Sequence, residues 1–439
     1  MTMPTLPDRR AFLQTAAGAI AAESASRIQG ALDRINLVVI GVGGRGASHV
    51  NNFSKLSACR VMGVCDVNQA ARERASALVV KAGGDKPKEY PDMRRVFDDK
   101  DVDAVSMATP NHWHALGALW AMQAGKDVYV EKPASHNIFE GVKLVEAARK
   151  YKRMCQVGSQ GRTTPHKIKA MKLLDEGVIG KVYLSKGLCF KRRRSIGRKP
   201  DGPTPAGVDW DMFLGPAPLR AFNENRFRYN WHWFWDTGNG DIGNQGVHEM
   251  DIALWGLGPG RATLPKSVVS TGGKFAYDDD QETPNTQLAQ FDYGDAQLLF
   301  EVRGLLTGDE GGLRMRGGNC VGNLFYGSDG WMAVDGAGFW IYKGEKSELA
   351  MEEKAQGDGT GLHMQNFLNA VRSRKHEELN AEVAIGAHAA ALCHLANLSY
   401  RLGRKLNFDP AAGRFTGDQE ANRMLTREYR KPYVVPDRV

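Results

Sequence analysis

The stretch Ile35–Gly46, INLVVIGVGGRG, constrains the fold of this chain more than any other. An apolar run of strand length, Ile35–Ile40, ends in Gly41-Val42-Gly43-Gly44-Arg45-Gly46, a G-x-G-x-x-G turn followed by a segment able to open a helix. A second strand-like run, Cys59–Cys65, ends at Asp66, about twenty residues past the last glycine. Glycines in this pattern allow a tight turn and let the backbone approach a pyrophosphate. The helix start faces the phosphate charge, and a carboxylate at the second strand end takes ribose hydroxyls. A lone glycine turn would mean little; the flanking strands, the spacing and the acid together read as a dinucleotide cradle. An acid at position 66 repels a ribose phosphate, which favours NAD over NADP, although Arg72 and Arg74 lie a turn or more into the next helix.

From Ile35 to about Gly158, strand-like runs at 35–40, 59–65, 103–108, 127–131 and 154–157 alternate with helical stretches near 45–56, 68–82, 113–124 and 137–150. This alternation predicts an α/β fold with a doubly wound parallel sheet, in a first domain over 34–158. Beyond Gly161 the pattern changes. A helix is expected at 165–176, closed by Gly177, then a strand at 181–190, a Pro/Gly- and aromatic-rich stretch at 195–237 and a helix near 244–255. Glycine-broken β-rich runs follow between 266 and 342, then two helices in 361–403, with Phe367, Leu368 and Val371 on one apolar stripe. The second domain, 159–439, therefore reads as α/β with an open, mostly antiparallel sheet.

At 439 residues the chain suits two domains, and no apolar run approaches the roughly 20 residues of a membrane span. The net charge of +8 is spread along the sequence and does not point to nucleic acid. Its one dense cluster, Lys191–Arg194, reads as an oligomer contact or a solvated arm, with an acidic substrate as the other assignment. Residues 1–33 read as an export signal and linker: Arg9-Arg10 with Phe12-Leu13 forms a twin-arginine pattern, followed by the weakly apolar run Ala16–Ala22 and by Ser24-Ala25-Ser26. A periplasmic enzyme using the twin-arginine export machinery would collect its nucleotide in the cytoplasm before leaving folded. Six cysteines without C-x-x-C spacing indicate neither a disulfide framework nor a metal site.

Two strand ends carry chemistry. Thr109-Pro110-Asn111-His112-Trp113-His114 follows one, and Glu131-Lys132-Pro133 follows the next. Ligands of open α/β sheets sit beyond these carboxyl ends. A lysine there would lie close to a nicotinamide, where desolvation and the positive ring lower its pKa and make it a proton carrier or polarising donor. The alternative is a surface lysine at a strand end.

With Gly41–Gly46, Asp66 and Gly243–Asp251, these motifs resemble the Gfo/Idh/MocA oxidoreductases, named for glucose–fructose oxidoreductase and inositol dehydrogenase, from about 34 to 410. The resemblance implies a Rossmann domain and a C-terminal α/β domain. The open sheet of the latter often joins subunits, so a homo-oligomer (dimer or tetramer) is expected. It further implies NAD(P)-linked oxidation of sugars or cyclitols. It assigns Lys132 to substrate and nicotinamide ribose, and Gly41, Gly43, Gly44, Arg45, Gly46, Asp66, Thr109, Asn111, His114 and Glu131 to the cofactor. The family's second signature, Asp-x-Gly-x-His-x-x-Asp, reads here Asn244-Gln245-Gly246-Val247-His248-Glu249-Met250-Asp251. In a helix, positions 244 and 248 share one face. Asparagine binds a hydroxyl but cannot accept a proton or steady an imidazolium, which leaves His248 as the base rather than a core histidine.

Upstream, Tyr229–Trp235 and Asp236–Asp241 form an aromatic and acidic insert. Some of Trp231, His232 and Trp233 are expected to line a sugar pocket, others to fill core space. Gln160 and Arg162 are substrate contacts on position alone. The expected activity is NAD(P)-dependent oxidation of a small carbohydrate by a tightly held cofactor, with Lys132 and His248 catalytic. NAD-dependent glycoside cleavage through transient oxidation and elimination is the alternative, and a non-catalytic sugar-binding protein is disfavoured.

Overall fold

Short apolar runs between turn residues become strands buried on both faces. They are β1 (Ile35–Ile40), β2 (Cys59–Cys65), β3 (Lys88–Tyr90), β4 (Ala104–Met107), β5 (Asp127–Val130) and β6 (Cys155–Val157). The structure, a computed structural model, describes residues 34–258 and 264–439, so the export reading at Arg9 and Arg10 lies outside the described residues. All six strands run parallel, in the order β3-β2-β1-β4-β5-β6. Helices α1 (Gly44–Phe53), α2 (Gln69–Lys81), α3 (Met93–Asp98), α4 (Asn111–Gln123) and α5 (Ile138–Tyr151) make the crossovers. β1 shows the two-sided burial: Val38 and Ile40 join Leu116 and Leu119 on one face, Leu37 and Val39 join Val50 and Phe53 on the other. α5 starts on a capping box, in which Asn137 accepts from the Glu140 N–H while the Glu140 carboxylate accepts from the His136 N–H at 2.7 Å. Strand order reverses between β1 and β4, and the loops leaving these strands open the ligand crevice.

The second sheet has ten strands. β7 (Val182–Lys191) lies at its centre; β8 (Asp201–Gly202) and β9 (Phe222–Asn223) form a separate ribbon; β10 (Ser267–Gly273), β11 (Thr286–Asp292), β12 (Gln297–Arg303), β13 (Asn319–Gly327), β14 (Gly330–Asp335), β15 (Gly338–Lys343), β16 (Glu348–Lys354), β17 (Leu406–Asp409) and β18 (Arg414–Phe415) complete it. The order is β16-β15-β14-β13-β7-β12-β11-β10-β17-β18, antiparallel throughout except for β7 beside β12. Helices α6 (Pro165–Asp175), α7 (Trp210–Leu214), α8 (Gly240–Asn244), α9 (Gly246–Trp255), α10 (Thr360–Ser373) and α11 (Val383–Leu402) accompany it. Met250 and Leu254 of α9 and Leu392 and Leu395 of α11 pack on Phe291, Leu298 and Phe300. The other face leaves Tyr183, Val269 and Leu288 exposed.

β3 and α3 occupy the span 83–102 in which no element is expected from the sequence. β3 is three residues, Lys-Glu-Tyr, on a sheet edge, and carries no hydrophobic alternation. β16 is also an exposed edge strand. The apolar stripe of α10 packs on the first sheet rather than the second: Met364, Phe367, Leu368 and Val371 join Leu37, Val39 and Tyr129. Tyr433 and Val435 join that sheet's opposite face. The chain thus returns from its second half to finish the core of its first. Among the described residues no helix is long and apolar enough to cross a membrane and no cluster suits a metal ion; all six cysteines are free and buried.

Candidate active site

The glycine turn is shaped by its neighbours. Gly41 has φ +78°, and a Cβ there would lie 2.7 Å from the Ala108 and Thr109 backbone, where the loops after β1 and β4 touch. A Cβ on Gly46 would lie 1.8 Å from the Gly41 carbonyl oxygen. Gly43 and Gly44 are different: a Cβ on either meets nothing within 4 Å. Their open side faces a cavity of about 1080 Å³ lined by Gly41, Gly43, Gly44, Arg45, Asp66, Thr109 and Lys132 among others.

Asp66 accepts from the Val42 N–H through Oδ2 (2.8 Å) and from the Asn68 N–H through Oδ1 (2.9 Å), which fixes it at the cavity wall. Burial raises its carboxyl above the ordinary range in spite of these bonds. Each oxygen keeps a lone pair for a further donor. Thr109 Oγ1 and Arg45 Nη2 are buried without a hydrogen-bond partner. A dinucleotide fits this donor set: bare backbone at the start of α1 for a pyrophosphate, a fixed carboxylate for ribose hydroxyls, and unfilled polar atoms on the same wall.

Beneath the far end of the cavity, Glu131 accepts from Arg45 Nε (2.7 Å) and bonds His49 Nε2 (2.9 Å), whose Nδ1 meets Ser106 Oγ (2.8 Å). Burial pushes the Glu131 carboxyl up, but Arg45, His49 and Lys132 together hold it well below the usual range. His114 staples two loops, with ring nitrogens 2.7 Å and 2.8 Å from the carbonyls of Pro133 and Thr109. Asn111 donates to Asn239 Oδ1 at 3.0 Å. Thr109, Asn111, His114 and Glu131 all line the cavity, but the side chains of Asn111, His114 and Glu131 bond to protein there.

Lys132 extends from the end of β5 and donates from Nζ to the Asn244 carbonyl at 2.8 Å. Burial lowers its ammonium pKa below the usual value. Asn244 closes α8, and Gln245, with helical φ and ψ, leads into α9, whose first turn carries His248. The His248 ring is half-buried and makes no hydrogen bond among the described residues; burial and then the Lys132 charge hold its pKa well below 6.5. It is therefore a neutral base at neutral pH. Asn244 Nδ2 donates to the Tyr229 hydroxyl (2.9 Å), which also accepts from Arg193 Nη1 (3.0 Å). Arg193 grips Asp241 through two bonds of 2.8 and 2.6 Å. Trp231 and His232, stacked at 3.6 Å, line the cavity beside Tyr229, and burial keeps His232 neutral.

Gln160 and Arg162 stand apart from the cavity wall. Arg162 Nε bonds both Asp251 oxygens (2.9 and 2.8 Å) and its guanidinium lies 4.7 Å from the Trp255 ring, so it braces α9. Gln160 Oε1 is buried without a partner. The structure thus brings Lys132, Asn244, Trp231 and His232 to one cavity with the glycine turn, and places His248 within reach of the Lys132 charge. Sequence reasoning missed the Tyr229 hydroxyl and its Arg193–Asp241 support. The aromatic insert that opens at Tyr229, the basic run at 191–194 and the acid at 241 were the signals of them. Lys191 and Arg193 also turn inward, onto Gln245 and Asp241, rather than forming a solvated arm.

Comparison with known proteins matches residues 35–159 to the family model described as "Oxidoreductase family, NAD-binding Rossmann fold" and residues 163–281 and 329–435 to "Oxidoreductase family, C-terminal alpha/beta domain". Among curated proteins, a glycosyl hydrolase family 109 protein of Saccharopolyspora erythraea is 31% identical over 168 residues, 37% of each chain. Glycosyl hydrolase family 109 protein 1 of Shewanella sp. (strain ANA-3) is 30% identical over 155 residues, 34% of each. The chain thus matches about a third of the length of these relatives. Among solved structures, levoglucosan dehydrogenase in complex with NADH and levoglucosan superimposes with a TM-score of 0.64 at 17% identity, covering 85% of this chain and 99% of the other. The WlbA dehydrogenase from Bordetella pertussis, in complex with NADH and UDP-GlcNAcA, gives 0.63 at 19% identity, covering 86% and 99%. At such identities the likeness is one of fold.

Proposed function

The chain belongs to the Gfo/Idh/MocA oxidoreductase family, with its NAD-binding Rossmann domain, and from that premise we propose that it oxidises a carbohydrate hydroxyl at the Lys132–His248 end of the cavity. One observation carries the reading: the buried Lys132 ammonium, held 2.8 Å from the Asn244 carbonyl, lines the cavity that begins at the glycine turn, and its charge acts on a neutral, unbonded His248 that stands outside the lining residues. Bound NAD supplies the hydride acceptor. Lys132 donates to the substrate oxygen and favours its alkoxide character, and His248 accepts the hydroxyl proton. Asn244, an amide where the family has an acid, holds Lys132 and Tyr229 and takes no proton itself. Trp231 offers a ring face to the sugar.

The experiment is to follow nicotinamide reduction in a sugar panel with wild type, His248→Ala and Lys132→Ala. Each variant should lose about 10²–10⁴-fold in turnover while keeping dinucleotide affinity. Undiminished turnover in either removes that residue from the chemistry. A second reading, redox-neutral glycoside cleavage through transient oxidation, is supported by the family 109 glycosyl hydrolase relatives. Aglycone release without net NADH separates the two. The reading extends to twin-arginine export and to a homo-oligomer joined through the exposed sheet face at Tyr183, Val269 and Leu288. Replacing Arg9 and Arg10 by lysine tests the first, since lysine keeps the charge but not the guanidinium. Sedimentation of Leu288→Asp tests the second.

A further inference from the structure

The cavity is walled at its Asp66 end by a piece of the second half of the chain. Asp66, Asn68 and Pro91 line that end from the first sheet, and Pro205, Ala206 and Val208 line it from the long connection between β8 and β9. The two walls are tied together. The Gly207 carbonyl accepts from the Gln69 N–H at 2.8 Å, and the Asp209 N–H donates to the Val67 carbonyl at 3.0 Å. These bonds pair Asn68 with Val208 as in an antiparallel sheet. Asp66, the carboxylate placed for ribose hydroxyls, directly precedes Val67. A dinucleotide whose ribose meets that carboxylate therefore has its adenine end beside residues 205–208.

The connection is stiff at its base and light at its tip. At the base β8 pairs with β9, Asp201 opposite Asn223 and Gly202 opposite Phe222. Trp210 stacks on Phe213 with ring centroids 4.8 Å apart, and Phe222 and Phe227 meet Trp210 edge to face. Residues 203–207, by contrast, are exposed, and their side chains are no larger than proline or threonine. Segments with few buried apolar contacts and exposed main-chain bonds open locally well before the molecule unfolds. We propose that residues 203–209 are the exchange gate of the dinucleotide, a clasp that lets go of the loop after β2 to pass the nucleotide and re-forms over its adenine end. The proposal rests on a dinucleotide occupying the cavity and not on which reaction follows.

The clasp can be locked from outside. Gln69 and Gly207 are not among the residues that line the dinucleotide cavity, and a Cβ on Gly207 would lie 3.3 Å from the Gln69 Cβ, close to the spacing of about 3.5–4.5 Å across a disulfide. The full chain carrying Gln69→Cys and Gly207→Cys is compared in its reduced and oxidised forms; the six native cysteines are buried. Each form is mixed with NADH and chased with excess NAD, while energy transfer from tryptophan to the nicotinamide reports occupancy. Crosslinked empty, the protein should load at least about tenfold more slowly than its reduced form; crosslinked after loading, it should release at least about tenfold more slowly, and reductant should reverse both. Gly207→Val should act in the opposite sense. At φ +76° a β-branched side chain is strained and crowds Gln69, so release should speed up while the melting temperature of the empty protein holds. Exchange indifferent to the crosslink, exchange slowed in one direction only, or failure of the pair to crosslink overturns the gate and leaves the dinucleotide in its cavity. Absence of NADH binding to the wild-type chain overturns both.

Discussion

The Tyr229 hydroxyl accepts hydrogen bonds from Arg193 and Asn244, which uses both its lone pairs and leaves it only a proton to give. The side chain is 50% exposed and lines the cavity, so that proton is aimed at a ligand oxygen. Tyr229→Phe should lower kcat/KM about tenfold, the loss of one well-placed hydrogen bond, with dinucleotide affinity unchanged in a fluorescence titration. A matching drop in dinucleotide affinity would put the hydroxyl on the cofactor instead. The sequence marks this residue only as the start of the aromatic insert Tyr229–Trp235, with no sign of its partners. Lys132 and His248 stand in short motifs whose spacing is legible, whereas Arg193 meets Asp241 across 48 residues and Arg45 meets Glu131 across 86. Pairings of that reach are set by which loops and helix starts each sheet brings together, which no window of sequence contains.

At the scale of elements, the glycine turn separates folding from binding. Gly46→Ala drives a methyl into the Gly41 carbonyl and should destabilise the protein by about 2–4 kcal/mol, visible as a lower urea midpoint. Gly43→Ala points a methyl into open cavity, so the midpoint should hold while dinucleotide affinity falls. The reverse ranking would mean that the cavity does not hold the pyrophosphate at this turn. Both glycines are equally visible in the sequence; only the structure tells which one packs and which one faces the ligand. The same division runs through the strands. β1, β2, β4 and β5 are legible because burial on both faces requires continuous apolar runs, whereas β3 and β16 are exposed edge strands, and neither the charged side chains of β3 nor the exposed Leu349 and Met351 of β16 follow a buried face.

For the whole molecule, stability should depend on Glu249. Its folded pKa, pushed up to about 7 by burial, lies above the ordinary 4.5, so the folded protein keeps a proton that the unfolded chain has released. Stability therefore falls as pH rises from 4.5 to about 7, and the penalty, about 3 kcal/mol at most, is complete above that. Glu249→Gln should raise the melting temperature at pH 8 but not at pH 4, in paired thermal scans. Phe367 makes the second whole-molecule case. It belongs to the C-terminal half, yet packs on Tyr129 of the first sheet with ring centroids 5.8 Å apart. Phe367→Ala should destabilise the protein by about 3–5 kcal/mol and weaken dinucleotide retention with it, measured by denaturation and by dialysis. Because α10 closes the underside of β5, the order of synthesis matters. A ribosome delivers β1 to β6 long before Phe367, and until α10 emerges the nascent chain displays Leu37, Val39 and Tyr129 to chaperones. The nucleotide cradle is therefore finished only when translation is nearly over, and a prematurely terminated chain should be recognised by its greasy sheet face and degraded rather than loaded.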